Sequence, residues 1–231
     1  LDDVGFAEGV SRLASLAEPA RRALYSYVVA QPGPVSRDEA SQGVDVPRHT
    51  AKFHLDRLVE EGLLVTEFKR LTGRSGPGAG RPTKLYRRSE QEVSVTVPER
   101  HYDLAGQLMA RAIESAAKDG ADVVAALHAC AADYGASLGE QIRAAAGARP
   151  SRGKAVEAVC ATLARHGYEP RADGSVVTLA NCPFHALAQE HTDLVCGMNL
   201  ALLDEVASSS GRLTAQLDPA DGRCCVTLVP A

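Results

Sequence analysis

Apolar residues recur at helical spacing along most of this chain and alternate with polar ones only in short stretches. Glu18-Pro19-Ala20-Arg21-Arg22 opens the first clear helix, with Ala23, Leu24, Tyr27 and Val28 on one face. Proline suits an early helical position because the N–H it lacks would have no partner there. Gln31-Pro32-Gly33-Pro34 ends that helix, since tandem prolines cannot continue the hydrogen-bond ladder. Ser36 and Glu39 have the spacing of a capping box and start a short helix that stops near Gly43. Pro47 begins a longer helix to Glu61, closed by Gly62. Its predicted buried stripe is Ala51, Leu55, Leu58 and Val59; His49, Phe53, Asp56 and Glu60 lie opposite, flanked by Lys52 and Arg57.

Residues 63–69 read as a strand and 85–88 as its return. Between them lies a Gly- and Pro-rich segment whose every charge is positive. From Lys69 to Arg88 the cations are Lys69, Arg70, Arg74, Arg81, Lys84, Arg87 and Arg88, with no Asp or Glu. Helix, tight turn, helix and then a cationic hairpin is the order of a winged helix-turn-helix. The hairpin tip is placed to lie on phosphates or enter a minor groove. The candidate DNA contacts are Arg48, His49, Thr50, Lys52, Phe53 and Arg57 on the reading helix. Arg70, Arg74, Arg81 and Lys84 are those of the wing.

Farther on, Val93, Val95 and Val97 alternate up to Pro98, which predicts a short strand or extended linker. Two alanine-rich helices follow at about 101–118 and 121–146, then another at 151–166. These helices could cover a C-terminal domain, pair two subunits, or both. The last part predicts a strand over 175–179, a helix from Pro183 to about Ala207, and strands over 211–217 and 224–229. The expected class is mainly α with a small β part (α+β). It comprises a winged helix-turn-helix at 1–90, a linker and helical dimerisation region at 91–150, and an α/β sensor domain at 151–231.

Net charge is −4 over 231 residues, which alone argues against a nucleic-acid partner. The distribution reverses that impression, because the basic excess is concentrated before residue 90. No apolar run approaches the ~20 residues that span a bilayer, and no segment at the start is of secretory type. A cytoplasmic protein with no membrane partner is expected, with its six cysteines reduced and available for metal or redox chemistry. No glycine-rich cofactor motif, Ser-His-Asp set or Cys-x-x-Cys pair suggests an enzyme.

Three of those thiols fall on successive elements of the last domain: Cys182 at a helix entry, Cys196 inside a helix, Cys224 at a strand start. Thiolates brought together from distant positions can hold an iron–sulfur cluster or a soft metal. The spacing is neither a zinc-ribbon nor a ferredoxin pattern. Alternation along a regular strand would turn Cys225 away from the face of Cys224, so Cys224 is the expected ligand. Cys130 and Cys160, among small apolar neighbours, read as core thiols.

Residues 18–88, above all Glu18–Arg22, Pro47–Leu58 and Gly76–Pro82, resemble ArsR-like winged-helix repressors. Together with the C-terminal cysteines they are most similar to the SufR-like iron–sulfur regulators. That resemblance implies a homodimer on an inverted-repeat operator that senses redox or iron–sulfur status. It implies a 4Fe–4S or 2Fe–2S cluster and repression of cluster-assembly genes. SufR-like proteins commonly offer four cysteines, and here the place of the third falls at Ser208-Ser209-Ser210. The fourth ligand is open: His185, one helical turn from Cys182, is the first choice, ahead of His191 and Cys225. A Cys₃His set would equally suit zinc, so a zinc-sensing repressor is the alternative.

Overall fold

The computed structural model describes residues 4–70, 82–147 and 150–231. The chain forms two compact units, Leu1–Val95 and Thr96–Ala231.

The first unit starts with α1 (Val4–Ser15), an element that the sequence reading did not predict. α2 (Pro19–Ala30) begins where the Glu18 carboxylate accepts N–H groups from Ala20 and Arg21 at 3.1 and 2.5 Å. After the two-residue β1 (Val35–Ser36), the expected capping box starts α3 (Arg37–Val44). The Ser36 hydroxyl accepts from the Glu39 N–H, and the Glu39 carboxylate accepts from the Ser36 N–H. α4 (Arg48–Glu60) follows Pro47 and buries Ala51, His54, Leu55 and Leu58 against Leu24 and Val28 of α2. Gly62, at φ +70°, takes the left-handed turn that an L side chain would strain, and leads into β2 (Leu64–Lys69). β2 pairs antiparallel with β3 (Thr83–Arg88), which also pairs with β1, so the sheet order is β1-β3-β2. The helices α2–α4 and the small antiparallel sheet match the winged helix-turn-helix predicted for this end of the chain.

The second unit holds α5 (Tyr102–Asp119), α6 (Val123–Ala146), α7 (Arg152–Ala164), β4 (Pro170–Asp173) and β5 (Val176–Leu179). It continues with α8 (His185–Glu190), α9 (Thr192–Ser208), β6 (Leu213–Leu217) and β7 (Val226–Pro230). Its sheet is antiparallel throughout, in the order β4-β5-β7-β6. One core joins Leu108, Leu127, Leu138 and Ile142 of α5 and α6 to Val177, Leu179, Leu202, Val206, Val226 and Leu228. The helices expected to form a separate region at 91–150 therefore share the core of the cysteine-bearing domain. α6 and α9 approach closely at Gly135, where an added Cβ would stand 2.2 Å from the Leu202 carbonyl oxygen.

Of the two alternatives for residues 89–98, the linker is the one seen, with no strand, and Val93 packs on the first unit's core. Two local expectations are corrected. The single helix predicted from Pro183 to Ala207 is two helices, because the chain breaks at His191. The last strand starts at Val226 rather than Cys224, so both cysteines precede it. Among the described residues, no helix is long and apolar enough to cross a membrane.

Candidate functional site

The exposed face of α4 carries the predicted reading residues, and most of its charges are already paired. Arg48 donates from Nε to Asp38 at 2.7 Å. Lys52 meets Asp56 at 3.0 Å, and Arg57 meets Glu60 and Glu61 at 3.1 and 2.5 Å. Lys84, expected on the wing, reaches back to Asp56 at 2.6 Å and lies over the Tyr86 ring. Asp56 also accepts from the Tyr86 hydroxyl at 2.9 Å. Partial burial alone would raise its pKa, but Lys84, Lys52 and Tyr86 outweigh it and hold the carboxyl at about 2. Burial, and then the Asp56 carboxylate, push the Tyr86 phenol up. Asp56, expected to stand clear of DNA, is thus the post that ties reading helix to hairpin.

His49 and Phe53 are left facing outward; Phe53 is 64% exposed and meets only the edge of His54. Thr50 is half-buried and Arg70 exposed. Arg74 and Arg81 lie outside the described residues.

The thiols gather in the second unit. Cys182, Cys196 and Cys224 are buried, and Cys225 is half-buried beside them. Cys182 lies in the loop before α8, Cys196 on the inner face of α9, and the other two in the turn ahead of β7. Because that turn is not regular strand, adjacent side chains need not alternate, and Cys225 joins the group that the strand reading denied it. Cys182 neighbours Cys224, Cys224 neighbours Cys225, and Cys225 neighbours Cys196. Among the described residues, no set of three or more His, Cys, Asp or Glu side chains is placed as ligands to a metal ion.

Their protons are shared unequally. Cys224 is held well below the usual thiol range by the S–H groups of Cys182 and Cys225, against the effect of burial. The Val226 N–H and the Asn199 amide add to the same direction. Cys182 is pushed up first by Cys224 and then by burial, with the Phe184 N–H opposing. Cys225 moves up for the same first two reasons, with Cys196 adding to them.

His185 does not reach this group. It is exposed at the start of α8, and so is His191 at the helix break; neither side chain makes a hydrogen bond or ion pair among the described residues. Of the three candidates for a fourth ligand, Cys225 is the one that lies beside the other thiols. Cys130 and Cys160 are half-buried against the core, as expected of packing thiols, and burial raises the Cys160 thiol.

Two polar features around the thiols were not anticipated. Asn199 of α9 donates from Nδ2 to the Cys224 sulfur at 3.2 Å and accepts the Tyr168 hydroxyl at 2.6 Å. Asn181, next to Cys182, donates to the Glu99 and Gly167 carbonyls at 3.0 and 2.5 Å and accepts from Arg100. The His101 N–H adds a bond to the Pro183 carbonyl at 3.1 Å. A polar residue inside an otherwise apolar stripe was the available signal for Asn199; nothing local marks Asn181.

A family profile described as a helix-turn-helix domain matches residues 16–67. No curated protein is significantly similar in sequence to the chain. Human N-acetylserotonin methyltransferase, solved in complex with SAM, is similar at 14% identity over 66% of this chain, with a TM-score of 0.26. The match spans only 52% of that structure's own length, and a likeness this weak carries no argument about fold or activity. With the winged architecture and the outward face of α4, the profile supports a DNA-binding transcription regulator with a helix-turn-helix domain in its N-terminal part.

Proposed function

We propose that this regulator senses redox or iron–sulfur status through a cluster held by Cys182, Cys196 and Cys224, with Cys225 beside them. In this reading it acts in the cytoplasm as a homodimer on an inverted-repeat operator and represses cluster-assembly genes. The observation that carries the reading is the gathering of four thiols from three separate segments into one largely buried pocket. Buried thiols that merely fill a core do not need N–H donors at their sulfurs; here the Phe184 and Val226 N–H groups and the Asn199 amide face them. Such donors favour the thiolate form that ligation requires.

A cluster takes its thiolates at separate iron atoms, whereas zinc needs four ligands around a single point. With His185 exposed, the zinc alternative would take Cys225 as its fourth ligand, a Cys₄ set. A bound cluster would supply one-electron chemistry and sensitivity to oxidants. The protein's own residues supply the buried thiols, the donors that face Cys224 and, through Asn181, a connection to Glu99 and Arg100.

Purification without oxygen should give a brown protein with iron and acid-labile sulfide in near-equal amounts. Cys182→Ser, Cys196→Ser and Cys224→Ser should each lose most of the colour, while Cys130→Ser and Cys160→Ser keep it. Cys225→Ser should lower cluster retention and His185→Ala should not. A colourless protein holding stoichiometric zinc would replace this reading with the metal-sensor one.

A further inference from the structure

The buried face of α9 is apolar at Val195, Met198, Leu202, Leu203 and Val206, all at most 1% exposed. Asn199 interrupts it while being equally buried, at 1%. A buried amide without partners costs ~1–3 kcal/mol, so a polar residue in this position needs a reason. Filling space does not require an amide here, because leucine has a similar volume. Asn199 stands one helical turn from Cys196 on the same face, which aims its side chain at the thiol pocket. There its Nδ2 donates to the Cys224 sulfur, and its Oδ1 is fixed by the hydroxyl of Tyr168, itself 2% exposed. The Tyr168 bond decides which end of the amide faces the sulfur: the acceptor is occupied, so the donor points to Cys224.

We propose that Asn199, oriented by Tyr168, is a positioning residue that sets the reduction potential of the cluster through an N–H···S bond to Cys224. The proposal rests on the cluster reading given above. An N–H donated to a ligand sulfur stabilises the more negative, reduced state and raises the potential. Its removal therefore lowers the potential, and the oxidised form becomes the harder one to reduce.

The test uses anaerobically purified full-length protein and a spectroscopic redox titration. Asn199→Leu alone would strand the Tyr168 hydroxyl, so the variant of choice is the pair Tyr168→Phe with Asn199→Leu, which removes both polar partners at little cost to folding. Its cluster should be about tenfold harder to reduce in the one-electron equilibrium, a fall of about 59 mV. Tyr168→Phe alone leaves the amide in place but free to turn, and should give a smaller fall in the same direction. Asn199→Asp keeps the shape and the Tyr168 bond but replaces the donor with an acceptor, and should lower the potential most. Equal potentials in wild type and all three coloured variants would overturn the assignment and leave Asn199 as a packing partner of Tyr168. A colourless wild type would overturn the cluster reading and this proposal together, so the two failures are distinguishable.

Discussion

The two units carry their chemistry in opposite ways. On α4 the functional side chains are charged, exposed and held by ion pairs that solvent weakens: Arg48 with Asp38, Lys52 with Asp56, Arg57 with Glu60. Exposed pairs of this kind contribute ~0–1 kcal/mol each, so a phosphate can take over a cation at small cost. In the cysteine-bearing unit the side chains are uncharged or share one proton deficit, and they are buried with every bond specified, as in Tyr168–Asn199–Cys224. A surface that meets a polyanion needs exchangeable partners. A pocket that holds a group in place needs fixed ones. The DNA-reading unit should therefore tolerate single substitutions better than the cysteine-bearing one.

That contrast predicts its largest effect at Gly135. Its Cβ position is filled by the Leu202 backbone, so Gly135→Ala must push α6 from α9, the helix that bears Cys196 and Asn199. Overpacking against a backbone costs ~1–3 kcal/mol or more. Thermal unfolding followed by near-ultraviolet circular dichroism should show the second unit melting several degrees lower, with thiol reagents reaching Cys196 sooner. An unchanged melt would mean that the sensor core is as forgiving as the reader.

Next in size is Asn181. Its amide ties the cysteine loop to Glu99 and Arg100, in the segment that follows the reader in sequence. Asn181→Ala should keep the colour while operator affinity stops responding to cluster loss. A ratio of holo to apo affinity in the usual allosteric range, about 5–150-fold, should fall toward one. Retention of the full ratio would place the coupling elsewhere.

The same contrast explains which parts were legible in the sequence. The capping box of α3, the proline entry of α2 and the basic hairpin are local signals, and the first unit followed them closely. The thiol positions were legible as residues but not as a set. Whether Cys225 joins depends on where β7 starts, and whether His185 joins depends on a helix break at His191; both are decided by packing between distant segments. Asn199 and Asn181 act through partners 25 and 81 or 82 residues away, beyond any spacing rule. The pairing of Lys84 with Asp56 was hidden for the same reason, since they lie 28 residues apart.

Asp56 gives a smaller effect with a definite sign in pH. Its folded pKa of about 2 lies below the ordinary value of 3.8. The stabilisation it supplies is therefore present above pH ~4 and lost as pH falls toward 2. Solvent screening limits this to about 1 kcal/mol. Asp56→Asn should remove that part of the acid dependence of the first unit's unfolding. It should also free Lys52 and Lys84 for phosphates, giving tighter binding to random duplex and a steeper salt dependence. Unchanged non-specific affinity would show that the two lysines stay away from DNA even when released.

The smallest effects separate the two ways α4 and the hairpin meet DNA. Arg70 is exposed at the end of β2 and has no ion pair among the described residues, so its contribution should be phosphate neutralisation without choice of base. Arg70→Ala should weaken binding to operator and scrambled duplex alike, and should lower the salt slope by about one unit. His49 and Phe53 stand on the first turns of α4 with little to hold them inside the protein. A histidine there can hydrogen-bond a base edge, and a phenylalanine can meet a thymine methyl. His49→Ala and Phe53→Ala should therefore cost ~1–3 kcal/mol on the operator and much less on scrambled DNA. The salt slope of Phe53→Ala should stay unchanged, because it gives up no cation. Titrations of each variant on both duplexes at several salt concentrations separate the two patterns. If Arg70→Ala alters sequence preference while the α4 variants weaken both duplexes equally, the hairpin is the reader and the helix is the clamp.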